Sequence, residues 1–212
     1  MKLVFLGTRG EIDVRTRTHR RHSSLAVSYR ARRIMIDAGL DWLGELRAVR
    51  PRAIVLTHAH PDHAAGLTEG APCPVFACPE TWSRLAQRRY PVTRRVLEHR
   101  KPVEIVGITF EAFPVEHSIR APAVGYRITA GRVSIFYAPD LVFIHDRHEA
   151  LHGCRLYIGD GATMTRPIVR QRGGRLIGHA PVRDATLLAG RGTRSRGRDH
   201  PLRLGDRRRR PA

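Results

Sequence analysis

Short apolar blocks and alternating apolar and polar positions fill most of the first 182 residues, and this pattern predicts more strands than helices. Lys2–Leu6 is an apolar block of strand length, and Gly7 to Arg21 follows as a polar, arginine-rich loop. Leu25–Tyr29 and Arg33–Asp37 alternate like the arms of a hairpin around Arg30-Ala31-Arg32. The spacing changes between Asp41 and Val49, where Trp42, Leu43, Leu46 and Val49 share one face of a predicted helix. Ala53–Thr57 reads as a short buried strand, and Thr81–Arg89 as a helix starting on a Thr or Glu cap. Ile108–Val115, Ala123–Thr129 and Val133–Ala138 predict further strands, with shorter ones at Leu156–Ile158 and Leu176–Ile177. Strands in runs with helices between them predict an α/β chain, a two-layer sheet core flanked by helices. No internal repeat and no interdomain linker interrupts the chain before about residue 183, so residues 1–182 read as one domain.

Composition sharpens this picture. Hydrophobic residues make up 42% of the 212, enough for one packed core and against wholesale disorder. No apolar run approaches the ~20 residues of a membrane span, and the start lacks the pattern of a signal peptide. The expectation is a cytoplasmic protein with no membrane partner; a homodimer stays open. Cys73, Cys78 and Cys154 are odd in number and form no CxxC pair, which argues against a disulfide framework. Cys73 and Cys78 read as half-buried thiols, with a zinc site as the other option. The net charge is +19, and 36 of the 38 basic residues are arginine. Such a balance favours anionic small-molecule or nucleic-acid partners, although a solvated arginine-rich surface reads equally well.

The densest chemistry lies in Thr57-His58-Ala59-His60-Pro61-Asp62-His63. On a strand-to-loop exit His58 and His60 project to the same side, because side chains alternate with period two. Two imidazoles can then converge on one cation. Asp62 and His63 follow Pro61, where a helix can begin, and can serve a second cation nearby. Neutral imidazole and carboxylate suit zinc, and also manganese or iron.

These residues resemble the His-x-His-x-Asp-His signature of the metallo-β-lactamase-fold hydrolases. Met35-Ile36-Asp37-Ala38-Gly39 resembles the strand-end aspartate that precedes it. Pro114-Val115-Glu116-His117-Ser118 and Tyr137-Ala138-Pro139-Asp140 resemble the segments that give the next histidine and the bridging aspartate. The likeness covers about residues 2–182 in the expected order. It implies an αββα four-layer sandwich and a metal-dependent hydrolase with two divalent ions. By that resemblance His58, His60 and His117 hold one ion, Asp62 and His63 the second, and Asp140 bridges them. Two such cations turn bound water into hydroxide near neutral pH, and Asp62 orients the nucleophile as well as ligating.

Within the superfamily, Phe5-Leu6-Gly7-Thr8 with Ser23-Ser24 resembles tRNA-maturing endonucleases (tRNase Z) and cyclic phosphodiesterases. Gly159-Asp160-Gly161-Ala162-Thr163 falls where tRNase Z has His-Glu-Ala-Thr, and Gly178-His179-Ala180-Pro181 where it has a Gly-His-Ser-Thr helix start. Gly159 thus replaces a proposed proton donor and Asp160 its glutamate; Thr8-Arg9-Gly10 departs from the usual glycine-rich turn, and the long RNA-gripping arm is not evident. Asp160 and His179 can pair as a proton relay, or cap a turn and a helix. Phosphodiester hydrolysis is the favoured activity; another ester, a lactone or an amide is the alternative, and metal-free nucleic-acid binding a third. Arg15, Arg17, Arg20 and Arg21 could clamp a phosphate or line a solvated loop.

The end of the chain departs from the family, which closes its second metal site with a late strand and a Thr-His motif. Residues 183–212 are Arg/Gly-rich without periodicity and read as a disordered tail, with the last strand and helix missing and the second site incomplete. A basic nucleic-acid-binding tail and a diverged end are two accounts of it. A shifted reading frame near Arg183–Asp184 is a third. Codons permitted for His200-Pro201-Leu202-Arg203-Leu204-Gly205-Asp206, read one nucleotide later, give Thr-His-Cys-Gly-Ser-Glu. The same shift turns Asp184 to Leu188 into Thr-Gln-Arg-Cys-Trp, a plausible continuation of a helix.

Overall fold

The computed structural model describes residues 1–87 and 90–184. Six strands form the first sheet in chain order: β1 (Lys2–Gly7), β2 (Ser24–Tyr29), β3 (Arg32–Ile36), β4 (Ala53–Val55), β5 (Val75–Ala77) and β6 (Arg94–Val96). The first three are antiparallel, and β3 to β6 run parallel. The second sheet adds β7 (Val103–Ile105), β8 (Ile108–Glu116), β9 (Ala123–Ala130), β10 (Val133–Tyr137), β11 (Phe143–Ile144) and β12 (Leu156–Ile158). Its order is β11-β8-β9-β10-β12, with β7 also on β8. A separate ribbon pairs β13 (Ile168–Arg172) with β14 (Arg175–His179).

Side-chain alternation builds the layers. Leu25, Val27, Ile34 and Ile36 of the first sheet pack against Phe110, Ala112, Tyr126, Ile128 and Ile135 of the second. Met35 and Ile54, one residue out of phase, face Trp42, Leu46, Trp82 and Leu85 on the outer helical layer. Phe113, Val115 and Phe136 face outward from the second sheet onto Leu141, Ile144 and Ala150. Helix, sheet, sheet and helix therefore stack as the αββα sandwich expected from the resemblance. The helices are short: α1 (Leu46–Val49), α2 (Pro61–Ala64), α3 (Pro79–Leu85) and α4 (Arg147–Leu151). No helix among the described residues is long and apolar enough to cross a membrane.

The local differences from expectation have local causes. The helix predicted over Asp41–Val49 is split into a 3-10 turn (Leu40–Trp42) and α1, because Gly44 between them adopts φ +76°. Helix α3 begins at Pro79, two residues earlier than predicted. Proline is at home in a first helical turn, and Cys78, which makes no side-chain capping hydrogen bond, occupies the cap instead of a Thr or Glu. Cys78 is fully buried rather than half-buried, and Cys73 is half-buried. The β13–β14 ribbon was foreshadowed only by Leu176–Ile177. Arg170, Gln171 and Arg172 offer no apolar alternation to announce β13. The predicted hairpin stands, turning tightly through Arg30 and Ala31, both at positive φ. Arg88 and Arg89 of the predicted helix lie outside the described residues. So does most of the tail, with the late strand and helix expected to be missing.

The topology positions the chemistry. Strands β8, β10 and β12 are mutually parallel through β9 and the β10–β12 pairing, so their C-terminal ends share an edge. Segment 37–39 follows β3, Thr57–His60 follows β4, His117 follows β8, Asp140 follows β10 and Asp160 follows β12. The residues singled out from the sequence sit just beyond carboxyl ends of strands, where α/β sheets commonly bind ligands. Phe110 is almost wholly buried, edge-on to Tyr126 at 5.8 Å between ring centres. Phe110→Ala is expected to cost about 3–5 kcal/mol, read as a lower midpoint in urea denaturation; an unchanged midpoint would place this aromatic pair outside the core.

Candidate metal centre

The arrangement begins with a buried carboxylate. Asp37 follows β3 in the left-handed region (φ +60°), an uncommon conformation for a residue with a Cβ. Its Oδ1 accepts the Thr57 backbone N–H at 2.7 Å, and its Oδ2 accepts the Thr57 hydroxyl at 2.8 Å. His63 Nδ1 stands 2.9 Å from the same Oδ2. Asp37 and His63 are both fully buried. Burial pushes the Asp37 carboxyl up, against the pull of His63 and Thr57. Burial opposes charge on His63, but Asp140 and Asp37 outweigh it and hold its pKa well above the ordinary histidine range.

Counting protons fixes the orientation of the imidazoles. Thr57 has one hydroxyl proton and gives it to Asp37. Its oxygen, 3.0 Å from His58 Nδ1, must then accept from that ring. His58 Nε2 is left as a bare lone pair. His117 Nδ1 donates to the carbonyl of Gly178 at 3.0 Å, which leaves its Nε2 bare too. His60 Nδ1 lies 2.9 Å from the first of these nitrogens and 3.2 Å from the second. His60 has one N–H at this position to offer at most, and two lone pairs face it. A cation resolves the conflict that a hydrogen-bond network of neutral rings cannot.

Asp140 reaches the same point. Its Oδ2 lies 3.0 Å from His63 Nε2 and 3.6 Å from both His58 Nε2 and His117 Nε2. His58, His60, His117 and Asp140 present ligand atoms within 4.8 Å of one another, and Asp62, His63 and Asp140 form a second such group. Burial and the neighbouring rings hold His58 well below the usual histidine pKa, and His60 is lowered to about 4. Burial opposes the charge on Asp140, but His63 beside it outweighs burial and keeps the carboxyl well below its usual range. Asp62 is lowered too, His63 again outweighing burial. The buried Asp62 Oδ1 has no hydrogen-bond partner, an unusual state for a buried polar atom, and His63 Nε2 faces two carboxylates, Asp140 Oδ2 at 3.0 Å and Asp62 Oδ2 at 3.5 Å. The bare nitrogens of His58 and His117 and the carboxylates of Asp62 and Asp140 are the donor set of divalent cations, and the residues present fit such ions.

A third group adjoins these. His179 Nδ1 lies 2.6 Å from Asp160 Oδ2, and the backbone N–H groups of Leu141 and Ala162 also donate to that carboxylate, at 3.1 and 2.8 Å. Burial opposes charge on His179, but Asp160 outweighs it and raises the pKa. The His179 ring sits 5.0 Å from that of His117, and Asp140, Asp160 and His179 again fall within 4.8 Å. At Gly159 an added Cβ would run into the Tyr157 ring, so no side chain fits there without displacing it.

The fold thus gathers His58, His60, Asp62, His63, His117, Asp140, Asp160 and His179 at one edge. Cys73 and Cys78 join no metal-ligating group among the described residues; burial pushes their thiols up to about 11 and about 12. On the first loop Arg15 pairs with Asp41 at 2.7 Å and Arg21 with Glu45 at 3.4 Å, and with Arg17 and Arg20 they line a cleft of 720 Å3. His200 lies outside the described residues. Sequence reasoning missed the orienting roles of Thr57 and of the Gly178 carbonyl. Thr57 could have been suspected from its place before His58; a backbone carbonyl leaves no mark in a sequence.

Residues 32–196 match the Beta-lactamase superfamily domain, and the chain belongs to that family. No match was found among curated proteins. Among solved structures, a diphosphatase from the PhnP family is 25% identical, with a TM-score of 0.62 over 82% of this chain and 69% of that one. YhfI from Bacillus subtilis, a metallo-beta-lactamase fold protein, is 16% identical with a TM-score of 0.65, covering 90% of this chain and 82% of its own. The short form of human tRNase Z is 17% identical with a TM-score of 0.60, covering 90% and 88%. Family and site together make the chain a metal-dependent hydrolase.

Thr57→Val removes the acceptor that orients His58 while keeping the shape. It is expected to weaken zinc binding by about 10–100-fold in competition with a chromophoric chelator. Binding equal to the parent would show that His58 needs no such support.

Proposed function

We propose that the chain hydrolyses a phosphodiester of the nucleic-acid or cyclic-nucleotide kind, with two divalent cations, zinc foremost, at the shared edge of the sheets. The observation that carries this reading is the Asp140 carboxylate, which belongs to both ligand groups at once. His58, His60, His117 and Asp140 would hold one ion, and Asp62, His63 and Asp140 the other. Such a pair of ions, when bound, polarises a phosphoryl oxygen and lowers the pKa of water. The anionic character of the substrate is supported by the charge of +19 and by the likeness to a diphosphatase.

The residues divide the remaining work. Asp62 would help hold an ion, and its buried, unpartnered Oδ1 can accept a hydrogen bond from the attacking water and aim it. Asp160, fixed by two backbone N–H donors, holds His179 by Nδ1. That leaves His179 Nε2 to deliver a proton to the leaving oxygen, and the raised pKa keeps the proton available. In this reading residues 1–182 are the hydrolase domain and 183–212 a tail, and the second ion lacks the late histidine that family members supply. Activity of the chain as it stands is then weak, and a frame-restored version gains it.

Hydrolysis of bis-p-nitrophenyl phosphate is expected in the frame-restored, zinc-loaded version, to vanish with chelator and to return with zinc. His179→Ala should lower kcat by about 10²–10⁴-fold without changing metal content. Metal binding with no hydrolysis of this ester would mean that another ester, a lactone or an amide is the substrate. Salt-sensitive nucleic-acid binding untouched by chelator, with no turnover of any ester, would instead mark a binding protein.

A further inference from the structure

The β13–β14 ribbon ends in His179 at the metal centre, and the rest of it extends away from the ligand groups. Its base is tied there by three backbone groups: Gly178 N–H donates to the His117 carbonyl at 2.8 Å, the Gly178 carbonyl accepts His117 Nδ1–H at 3.0 Å, and Ala180 N–H donates to the Leu141 carbonyl at 2.8 Å. From there the ribbon runs outward to a turn at Gly173 and Gly174, both at positive φ. Four of the five β13 residues are exposed while β14 is mostly half-buried, and the ribbon forms a two-stranded sheet of its own. Two-stranded ribbons are marginal in water, and the exposed Arg170, Gln171 and Arg172 add no packing to this one.

Those side chains are basic in a particular pattern. Arg172 stands directly across from Arg175, and Arg170, two residues along, shares the face of Arg172. Like charges facing each other across a strand pair destabilise it. Arg175 is relieved by Glu116, at 3.0 Å; Arg170 and Arg172 have no ion-pair partner among the described residues. From His179 to the Arg172–Arg175 pair is four residues of strand, roughly 14 Å at ~3.4 Å per residue. A single ester bound at the metals does not reach that far. A chain of phosphates does.

We propose that the ribbon is a grip for the backbone of a single-stranded nucleic acid whose scissile phosphate lies at the metal centre. The inference rests on the phosphodiesterase reading and narrows it to a polymeric substrate. Arg170 and Arg172 each contact a phosphate away from the scissile one, and the repulsion across the ribbon is relieved when the strand binds. Arg17 and Arg20, also without an ion-pair partner among the described residues, add positive charge on the first loop.

The test compares three full-length, zinc-loaded chains: the parent, Arg170→Gln/Arg172→Gln, and a control that removes the same charge elsewhere, Arg84→Gln/Arg132→Gln. Binding of a fluorescent 20-nucleotide single strand is read by anisotropy across a salt series, and bis-p-nitrophenyl phosphate hydrolysis is read alongside. The ribbon variant is expected to bind about 10-fold more weakly. Its log–log salt slope should be shallower by about 1.4, at ~0.7 for each single-strand phosphate contact. The control should match the parent, and small-ester turnover should be equal in all three. Equal weakening in ribbon variant and control would overturn the proposal in favour of diffuse charge. No weakening in either would overturn it outright. So would loss of affinity for phosphatidylserine vesicles but not for the oligonucleotide, which would make the ribbon a membrane contact. Absence of ester turnover in the parent and in its frame-restored version, with oligonucleotide binding still ribbon-dependent, would defeat the hydrolytic reading and leave the grip standing.

Discussion

A carboxylate buried without solvent is costly unless donors surround it, and Asp37 shows what that constraint can organise. Three donors converge on it, two from Thr57 and one from His63. Satisfying Asp37 uses up the only proton of the Thr57 hydroxyl, which forces His58 to donate from Nδ1 and to turn a bare Nε2 outward. It also turns His63 Nε2 toward Asp140. One carboxylate placed at the end of β3 thus orients two candidate ligands. The close fit around it leaves no slack: a Cβ at Gly39 would collide with the backbone carbonyl of Asp62 and the side chain of His22. The loop carrying the arginines is tied into the same region, since Asp41 accepts the His22 backbone N–H and Trp42 donates to the His22 carbonyl.

Much of this was legible in the sequence because it is local. The histidines and Asp62 lie within six residues, and one strand exit followed by a proline-started helix presents them together. The hairpin and central strands declared themselves by alternation, since each has one face in the core between the sheets. His117, Asp140, Asp160 and His179 are different. Nothing near any of them marks a ligand; only their order along a resembling family nominated them, and the fold brings them together by aligning the ends of β8, β10 and β12 and docking the end of β14 against His117.

What was illegible is either backbone or solvent-exposed. The carbonyl that orients His117 belongs to Gly178, and a main-chain oxygen has no sequence signal. Strand β13 buries so little that it needs no hydrophobic pattern, and periodicity cannot find a strand that is mostly exposed. The split of the Asp41–Val49 helix turned on a single glycine inside an otherwise amphipathic spacing. In each case the deciding interaction lies outside the apolar pattern.

We propose that three imidazoles and a carboxylate, oriented by Asp37, Thr57 and Gly178, bind a divalent ion at the edge of the two sheets. X-ray absorption at the zinc edge, on the chain loaded with one equivalent of zinc, tests it most directly. The expected shell is nitrogen and oxygen only, with the outer scattering of three imidazole rings, and that imidazole signature is lost in His58→Ala/His117→Ala. Sulfur in the shell, which would point to Cys73 and Cys78, or imidazole scattering unchanged in the double variant, would contradict it.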